Sequence, residues 1–220
     1  NTALGAAEGI HWAKEHGVKP YSEGMEVLFF VGCYLSYDPR MRKVAAATAD
    51  ILKKAGVNFG ILGNKENCCG ESIRKFGSEQ VFTSLARENI KAFIDHGVKK
   101  ILVSSPHCYH TFKNEYPEFM VNFEVVHISQ YLLELLDEGR LQFNHPFEKK
   151  ITYHDPCYLS RHNQVLAEPR QNLAALGLNL VELPRNKAKS FCCGAGGAQM
   201  WKEEEHGQER VSANRFREAI

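Results

Sequence analysis

Short continuous apolar runs alternate along this chain with stretches in which apolar residues recur at helical spacing. The run from Val27 to Val31 ends at Gly32-Cys33, which predicts a buried strand with a cysteine at its carboxyl end. Apolar positions at helical spacing then occupy residues 40–55, and Gly56 ends them. The alternation continues with strands predicted at 58–62, 101–103, 123–127 and 150–153 and helices at 79–95 and 129–136. This order predicts the α/β class, with mainly parallel sheets and flanking helices.

The chain also divides into segments. Residues 1–24 carry helical signals followed by Gly17, Pro20 and Gly24, which is typical of a tail of a preceding domain and a linker. A first lobe is predicted at residues 25–148 and a second lobe at residues 149–220.

A repeat supports this division. The segment around Cys33 (GCYLS) recurs around Cys157 (PCYLS), and Cys68-Cys69-Gly70 recurs as Cys192-Cys193-Gly194. Both recurrences have an offset of 124 residues, and both copies read C-x34-C-C-G. This period is too long for a solenoid repeat and indicates a duplicated half. We therefore expect two similar lobes related by a pseudo-twofold axis.

Cys108 belongs to the first copy only, in the segment SSPHC. The offset places its counterpart, and that of Ser105, near positions 232 and 229. We therefore expect the second lobe to be truncated before its closing C-x2-C, and residues 195–220 to be loosely held.

Composition narrows the function. The chain has 220 residues, 44% of them hydrophobic and 24% charged, with a formal net charge of +1. This balance gives no indication of nucleic acid as a partner, and no apolar run is long enough to span a membrane. We therefore expect a cytoplasmic protein.

The seven cysteines are an odd number and include two adjacent pairs, which are geometrically poor disulfide partners. Such clustering in a cytosolic chain favours metal binding over disulfides, and the duplicated spacing argues against inert buried thiols.

The cysteines of the first copy each follow a predicted strand. They therefore share the carboxyl edge of the sheet, where open α/β sheets bind ligands. We expect Cys33, Cys68, Cys69 and Cys108 to form a metal site there. Thiolates suit iron–sulfur clusters and zinc alike, and the spacing alone does not choose between them.

The paired C-x34-CCG motif, with SPHC after the first copy, resembles the paired CCG-domain family. The most specific stretches are residues 153–158 (YHDPCY) and 192–197 (CCGAGG). Members of that family include the B and D components of heterodisulfide reductase, glycolate oxidase iron–sulfur subunits, and oxidoreductases that link electron-transfer flavoprotein to menaquinone. Residues 106–108 and 113–117 are most similar to the last of these groups.

The resemblance implies an oxidoreductase component that relays electrons between a flavoprotein or ferredoxin-type donor and a quinone or other acceptor. Its partners would be such redox subunits or domains, including a membrane quinone-reactive subunit, so the chain would lie in the cytoplasm or on the cytoplasmic face of a membrane. Two alternatives stay open: cleavage of a disulfide at a noncubane cluster, as in heterodisulfide reductase, and a zinc-stabilised structural subunit of a redox complex.

The sequence departs from the family pattern at Ser105, where the family has a cysteine. The first copy therefore offers four thiolates, for a [4Fe–4S] cluster, for zinc, or for a cluster that also uses Ser105. His107 and His110 flank Cys108 and are alternative zinc ligands.

Cys157, Cys192 and Cys193 would hold a second cluster, cubane or noncubane. His154, Arg161 and His162 lie near Cys157 in sequence, where they could hydrogen-bond or tune that cluster.

Overall fold

The computed structural model describes residues 11–144, 146–203, 207 and 209–220. Its α-helices are α1 His11–Glu15, α2 Gly32–Tyr37, α3 Pro39–Lys54, α4 Glu71–Lys75, α5 Glu79–Asp95, α6 Pro106–His110, α7 Ile128–Asp137, α8 Cys157–Asn163, α9 Ala167–Ala175 and α10 Val211–Arg217. Its strands are β1 Val27–Phe30, β2 Phe59–Gly60, β3 Lys100–Val103, β4 Glu124–His127, β5 Lys150–Ile151 and β6 Asn179–Leu180. Short 3-10 helices lie at Gly63–Lys65, Tyr116–Phe119, Lys187–Lys189 and Gln199–Trp201, and one π-helical turn at Thr111–Glu115.

The first lobe is built on a four-stranded sheet in the order β2-β1-β3-β4, with every pair parallel. Both faces of β1 are buried. Val27 and Phe29 belong to one apolar core, which includes residues of α3 and α7, and Leu28 and Phe30 belong to another, which includes residues of α5. Alternate residues of a strand point to opposite faces, so this division places helices on both sides of the sheet.

The second lobe has a two-stranded parallel sheet formed by β5 and β6. It joins the first lobe through α8, whose Leu159 lies in the core beside α5. A second contact is polar: the buried Asn172 of α9 donates to the carbonyl of Ser129 in α7 at 2.6 Å. In both lobes the first two strands pair in parallel across a helical connection, as expected of a duplicated unit.

Residues 11–21 pack against the first lobe, whereas their sequence predicts a tail and a linker. Trp12 and Ala13 are buried in its core, and Pro20 forms a parallel bridge with Ile61 beside β2. These apolar contacts are long-range and leave no periodic signal in the sequence. Residues 1–10 lie outside the described residues.

The predicted strands and helices of the first lobe are otherwise confirmed, within a few residues at their ends. The strand predicted at 58–62 is shorter in the structure, Phe59–Gly60. It is the edge strand of its sheet, and on its outer side Pro20 forms a single bridge with Ile61. The predicted α/β class with parallel sheets and flanking helices is confirmed. No helix in the described part of the chain is long and apolar enough to cross a membrane.

Candidate metal centre

Four cysteine thiols of the first lobe meet at the carboxyl edge of its sheet. Cys33 lies in the first turn of α2 after β1, Cys68 and Cys69 follow β2, and Cys108 lies in α6 after β3. The thiols form a chain of hydrogen bonds from Cys33 to Cys68, to Cys69 and to Cys108. Residues separated by as many as 75 positions in sequence therefore converge, as the strand pattern predicts.

The environment of these thiols favours a negative charge on Cys68. Hydrogen bonds from Cys33 and Cys69 lower the pKa of Cys68 to about 3. The pKa of Cys33 and that of Cys69 are raised, first by their hydrogen bonds to neighbouring thiols and then by burial. Cys69 and Cys108 are buried from solvent. A thiolate at Cys33 or Cys69 is therefore disfavoured unless a cation compensates its charge.

Gly70 makes the turn that follows the cysteine pair possible. Its φ is +90°, and a Cβ there would lie 2.7 Å from Cδ2 of the Phe82 ring. Gly194 in the second lobe has a φ of +80°, so both copies use the same left-handed turn. In both copies the amide of this glycine donates to the first sulfur of the pair, at 3.3 Å in the case of Cys192.

Two buried side chains hold the backbone of the first cysteine pair. The Asn89 side chain donates to the carbonyl of Cys68 at 3.0 Å and accepts from the amide of Asn67 at 3.0 Å. Tyr116 donates to the carbonyl of Cys69 at 3.2 Å and accepts from Asn89 at 3.1 Å. This pair of side chains fixes the path of the turn without touching the sulfur atoms.

Glu66 ties the loop of the cysteine pair to the loop of Cys33. Its carboxylate accepts from the amide of Gly32 at 2.5 Å and from that of Val31 at 3.1 Å. Burial raises the pKa of Glu66 to about 8, against the effect of these two amides.

Ser105, which stands in place of a cysteine, is the N-cap of α6. Its hydroxyl accepts from the amide of Cys108 at 3.4 Å. The hydroxyl is therefore engaged with the backbone of the helix that carries Cys108.

Within the described part of the chain, no group of three or more Cys, His, Asp or Glu side chains is arranged to hold a metal ion. The first-lobe sulfurs are in contact with one another, whereas ligands of a single ion surround a shared position. A multinuclear cluster would instead bind each thiolate to a separate iron, so it does not need one position shared by all four sulfurs.

Three cysteines of the second lobe also lie together. Cys157 begins α8, while Cys192 and Cys193 follow the 3-10 helix Lys187–Lys189. Burial raises the pKa of Cys157, the negative charges of the other two add to this effect, and a hydrogen bond from Arg161 opposes it. The pKa of Cys193 is lowered, chiefly by a hydrogen bond with His154.

Of the three residues predicted to lie beside the second set of cysteines, two contact its thiols and one packs against other rings. His154 and Arg161 contact its thiols. His162 instead packs in a ring cluster with Tyr158 and His110, at centroid distances of 5.3 and 5.4 Å. His110 stacks on Tyr158 at 4.4 Å, and His107 meets the same ring edge-on at 5.0 Å.

A cavity of about 340 Å³ lies beside the second set of thiols. Residues of both lobes line it, among them His107, His110, Cys157, Cys192 and Cys193. Beside it, the hydroxyl of Tyr158 donates to the buried carboxylate of Glu71 at 2.7 Å. Glu71 is two residues from Cys69 and Tyr158 adjoins Cys157, so this hydrogen bond is a short link between the two sets.

Several of these residues were missed by the sequence reasoning. Glu66 and Glu71 flank the first cysteine pair closely in sequence, so their closeness to the pair was a signal that they lie at the site. Asn89 carries no local signal, because its contacts arise only when α5 packs against the turn.

Two thiol-rich sites on the carboxyl edges of duplicated α/β lobes define a cysteine-rich module of the metal-binding and redox type. The chain belongs to the CCG family, described as a cysteine-rich domain, whose model matches residues 27–113 and 151–220. The two matches confirm the duplication read from the repeat.

Curated relatives extend this assignment. The chain is 43% identical over 209 residues to an EtfAB:quinone oxidoreductase of Syntrophomonas wolfei and 45% identical over 204 residues to FadF of Bacillus subtilis, a probable iron-sulfur-binding oxidoreductase. Each match covers 92% of this chain and 29% of the relative. A heterodisulfide reductase component from Methanosarcina barkeri is 37% identical over 179 residues, covering 78% of this chain and 43% of that protein.

The chain therefore spans less than half the length of these relatives. No solved structure matches it. The names of the relatives confirm the predicted class, that of iron–sulfur oxidoreductase components, for the family to which the chain belongs.

Proposed function

We propose that this chain is an electron-transfer portion of an iron–sulfur oxidoreductase and that Cys33, Cys68, Cys69 and Cys108 hold a [4Fe–4S] cluster in the first lobe. The observation that carries the proposal is the meeting of these four thiols at one sheet edge, in mutual hydrogen-bond contact. The lobes are proposed to comprise residues 25–148 and 149–220.

The donor set fits such a cluster. Four thiolates are the usual ligands of a four-iron cluster. The lowered pKa of Cys68 supports a thiolate at this position, and the raised pKa values of Cys33 and Cys69 are consistent with ligands that ionise only beside a cation. A bound cluster would supply reversible one-electron transfer.

The protein's own contribution is shielding and position. Cys69 and Cys108 are buried, which keeps water from the site. The Gly70 turn and the contacts of Asn89 and Tyr116 fix the backbone from which two ligands project. Glu66 fixes the backbone before Cys33, the third ligand.

In the second lobe we propose that Cys157, Cys192 and Cys193 are ligands of a second cluster, with His154 and Arg161 beside them. The 124-residue offset places further ligands near positions 229 and 232. This lobe would bind its cluster less firmly through three thiolates than through five.

The proposed partners are a flavoprotein or ferredoxin-type donor and a quinone or other acceptor. The names of two relatives support this choice, one an EtfAB:quinone oxidoreductase and the other a component of a heterodisulfide reductase. A cytoplasmic location, in solution or on the membrane's cytoplasmic face, is part of the same proposal.

Anaerobic reconstitution followed by iron, sulfide and zinc analysis tests the cluster of the first lobe. We expect Cys108→Ser to lose most of the iron assigned to this lobe, because it removes a sulfur ligand. Ser105→Ala is the matched control, since it removes only the hydroxyl that caps the same helix. Zinc without iron in the first lobe, or equal iron in the two variants, would reject the proposal.

A second function is favoured by the cavity between the lobes, which exposes Cys157, Cys192 and Cys193 to a small molecule. In this function a disulfide would enter the cavity, its S–S bond would accept two electrons and two protons, and two thiols would leave. Mixing the reduced protein with a disulfide tests it. Oxidation that depends on the disulfide and is lost in Cys157→Ser supports this function, whereas oxidation at the rate seen without disulfide excludes it.

A further inference from the structure

Arg215 is a buried arginine whose contacts lead to a thiol of the second lobe. It lies in α10, is 6% exposed, and donates from Nε to Nδ1 of His154 at 2.9 Å. Its Nη1 donates to the carbonyl of Arg185 at 2.9 Å and to the carboxylate of Glu218 at 2.5 Å. These bonds hold the guanidinium in one orientation against the imidazole.

The first of these contacts determines which nitrogen of His154 carries the proton. A guanidinium has donors and no acceptor. The Nδ1 atom of His154 must therefore accept, and a neutral imidazole that accepts at Nδ1 carries its proton at Nε2. Without Arg215, the ring is free to adopt either tautomer.

His154 and Cys193 line the same cavity. His154 also makes a side-chain hydrogen bond with Cys193. Because Nδ1 is engaged by Arg215, Nε2 is the atom available for this bond, and its proton makes His154 the donor to the sulfur.

We propose that Arg215 is a positioning residue that locks His154 in the tautomer donating Nε2–H to the sulfur of Cys193. The chain Arg215–His154–Cys193 thereby supplies a hydrogen bond to one sulfur ligand of the proposed second cluster. Hydrogen bonds to the sulfurs are one means by which proteins set the potentials of such clusters. The effect on a cluster rests on the proposed function, whereas the tautomer does not.

The described residues at the equivalent positions of the first lobe do not form such a pair. The 124-residue offset places Phe30 opposite His154, and Phe30 is a buried core residue of β1. Cys69, the counterpart of Cys193, hydrogen-bonds with thiols instead of an imidazole. The inference therefore predicts that the two lobes tune their sulfurs differently.

Nitrogen-15 NMR of the purified chain with labelled histidine tests the tautomer, and the spectrum of His154→Phe assigns the signals. We expect a protonated Nε2 and an unprotonated Nδ1. In Arg215→Met we expect a mixture of tautomers, while Arg217→Met, which changes an exposed arginine of the same helix, retains the wild-type pattern. A proton on Nδ1 in the wild type, or an unchanged tautomer in a folded Arg215→Met, would overturn the proposal. The wild-type result stands even if the variant does not fold.

The reduction potential of the loaded second lobe provides the other test. Losing a donor to sulfur disfavours the more negative reduced state, so we expect Arg215→Met to lower the potential and His154→Phe to lower it further. The double variant should match His154→Phe alone, because Arg215 acts through the imidazole. An additional shift in the double variant would show that Arg215 acts by its own charge and would contradict the proposal. If the second lobe binds no cluster, the proposed function of that lobe fails, and the NMR experiment still decides this inference.

Discussion

The two lobes hold equivalent cysteines with different polar side chains. In the first lobe, Glu66 accepts from the amides that precede Cys33, and Asn89 holds the turn of the cysteine pair. At the 124-residue offset the second lobe has Ser190 and Ala213. Ser190 is buried and contacts the hydroxyl of Ser160 at 3.0 Å. The cysteine positions are therefore the same in both lobes, whereas the residues that support them differ.

The second lobe replaces these supports with ion pairs. Asp155, which is 1% exposed, forms two hydrogen bonds of 2.8 Å with Arg170 and accepts from the amide of Lys187 at 2.8 Å. Its counterpart in the first lobe is the apolar Val31. This difference indicates that the cysteine geometry is what both lobes need, while the supporting chemistry is interchangeable.

The largest expected effect comes from breaking the ion pair of the second lobe. Asp155→Ala leaves Arg170 without its most buried partner, and we expect a loss of about 3–5 kcal/mol in the free energy of unfolding. Glu182→Gln is the control, because it removes a more exposed partner of the same arginine. Urea denaturation measures both. Equal effects would show that Asp155 is not a special support of this lobe.

A pH-dependent effect is expected in the first lobe from His127, the last residue of β4. Burial lowers its pKa to about 4, from an ordinary value near 6.5. Between these values the unfolded chain binds a proton that the folded chain does not. His127 therefore contributes about 3 kcal/mol to the free energy of unfolding above pH 6.5, and this contribution is lost as the pH falls through 4. His127→Asn should flatten this part of the stability profile measured by denaturation at each pH. If the unfolding free energy of that variant falls with acid as steeply as that of the wild type, other groups cause the fall.

A smaller loss of unfolding free energy is expected when the hydrogen bonds from Asn89 to the first cysteine pair's turn are removed. Asn89→Ala leaves half-buried backbone groups of Asn67 and Cys68 without this buried partner, which should cost about 2–3 kcal/mol of unfolding free energy. Asn114→Ala, which removes exposed hydrogen bonds, should cost at most about 0.5 kcal/mol. If thermal and urea unfolding give the same value for both variants, Asn89 does not support the turn as proposed.

The smallest expected effect concerns the hydrogen bond that joins the lobes. Tyr158→Phe removes the donor to Glu71 and should lower the free energy of unfolding by about 1–2 kcal/mol. Tyr34 is the matching tyrosine of the first lobe and is 37% exposed, so Tyr34→Phe should stay within about 0.5 kcal/mol of the wild type. A chevron analysis of both variants measures this difference, and a reversed order would contradict the asymmetry between the lobes.

The sequence predicted best those elements whose burial pattern is visible in neighbouring residues. The continuous apolar run of β1 and the periodic helices α3 and α5 are confirmed, because burial on both faces or on one stripe leaves a readable pattern. The repeat of C-x34-CCG placed the cysteines at equivalent turns, since Gly70 and Gly194 share the left-handed conformation.

What escaped prediction depends on contacts between distant elements. Pro20 pairs with Ile61 beside β2 although its segment has the composition of a linker. The hydrogen bond from Arg215 of α10 to His154 joins elements that are far apart in sequence. Neither contact has a spacing that a single sequence reveals.

The central claim is the proposal that Cys33, Cys68, Cys69 and Cys108 hold a [4Fe–4S] cluster in the first lobe. Its most direct test is Mössbauer and EPR spectroscopy of two reconstituted variants. One has Cys157, Cys192 and Cys193 changed to serine, and the other has Cys33, Cys68, Cys69 and Cys108 changed to serine. We predict that the first variant retains a reducible [4Fe–4S] signal at full occupancy and that the second binds iron only in part. Full occupancy in the second variant with none in the first would contradict the account.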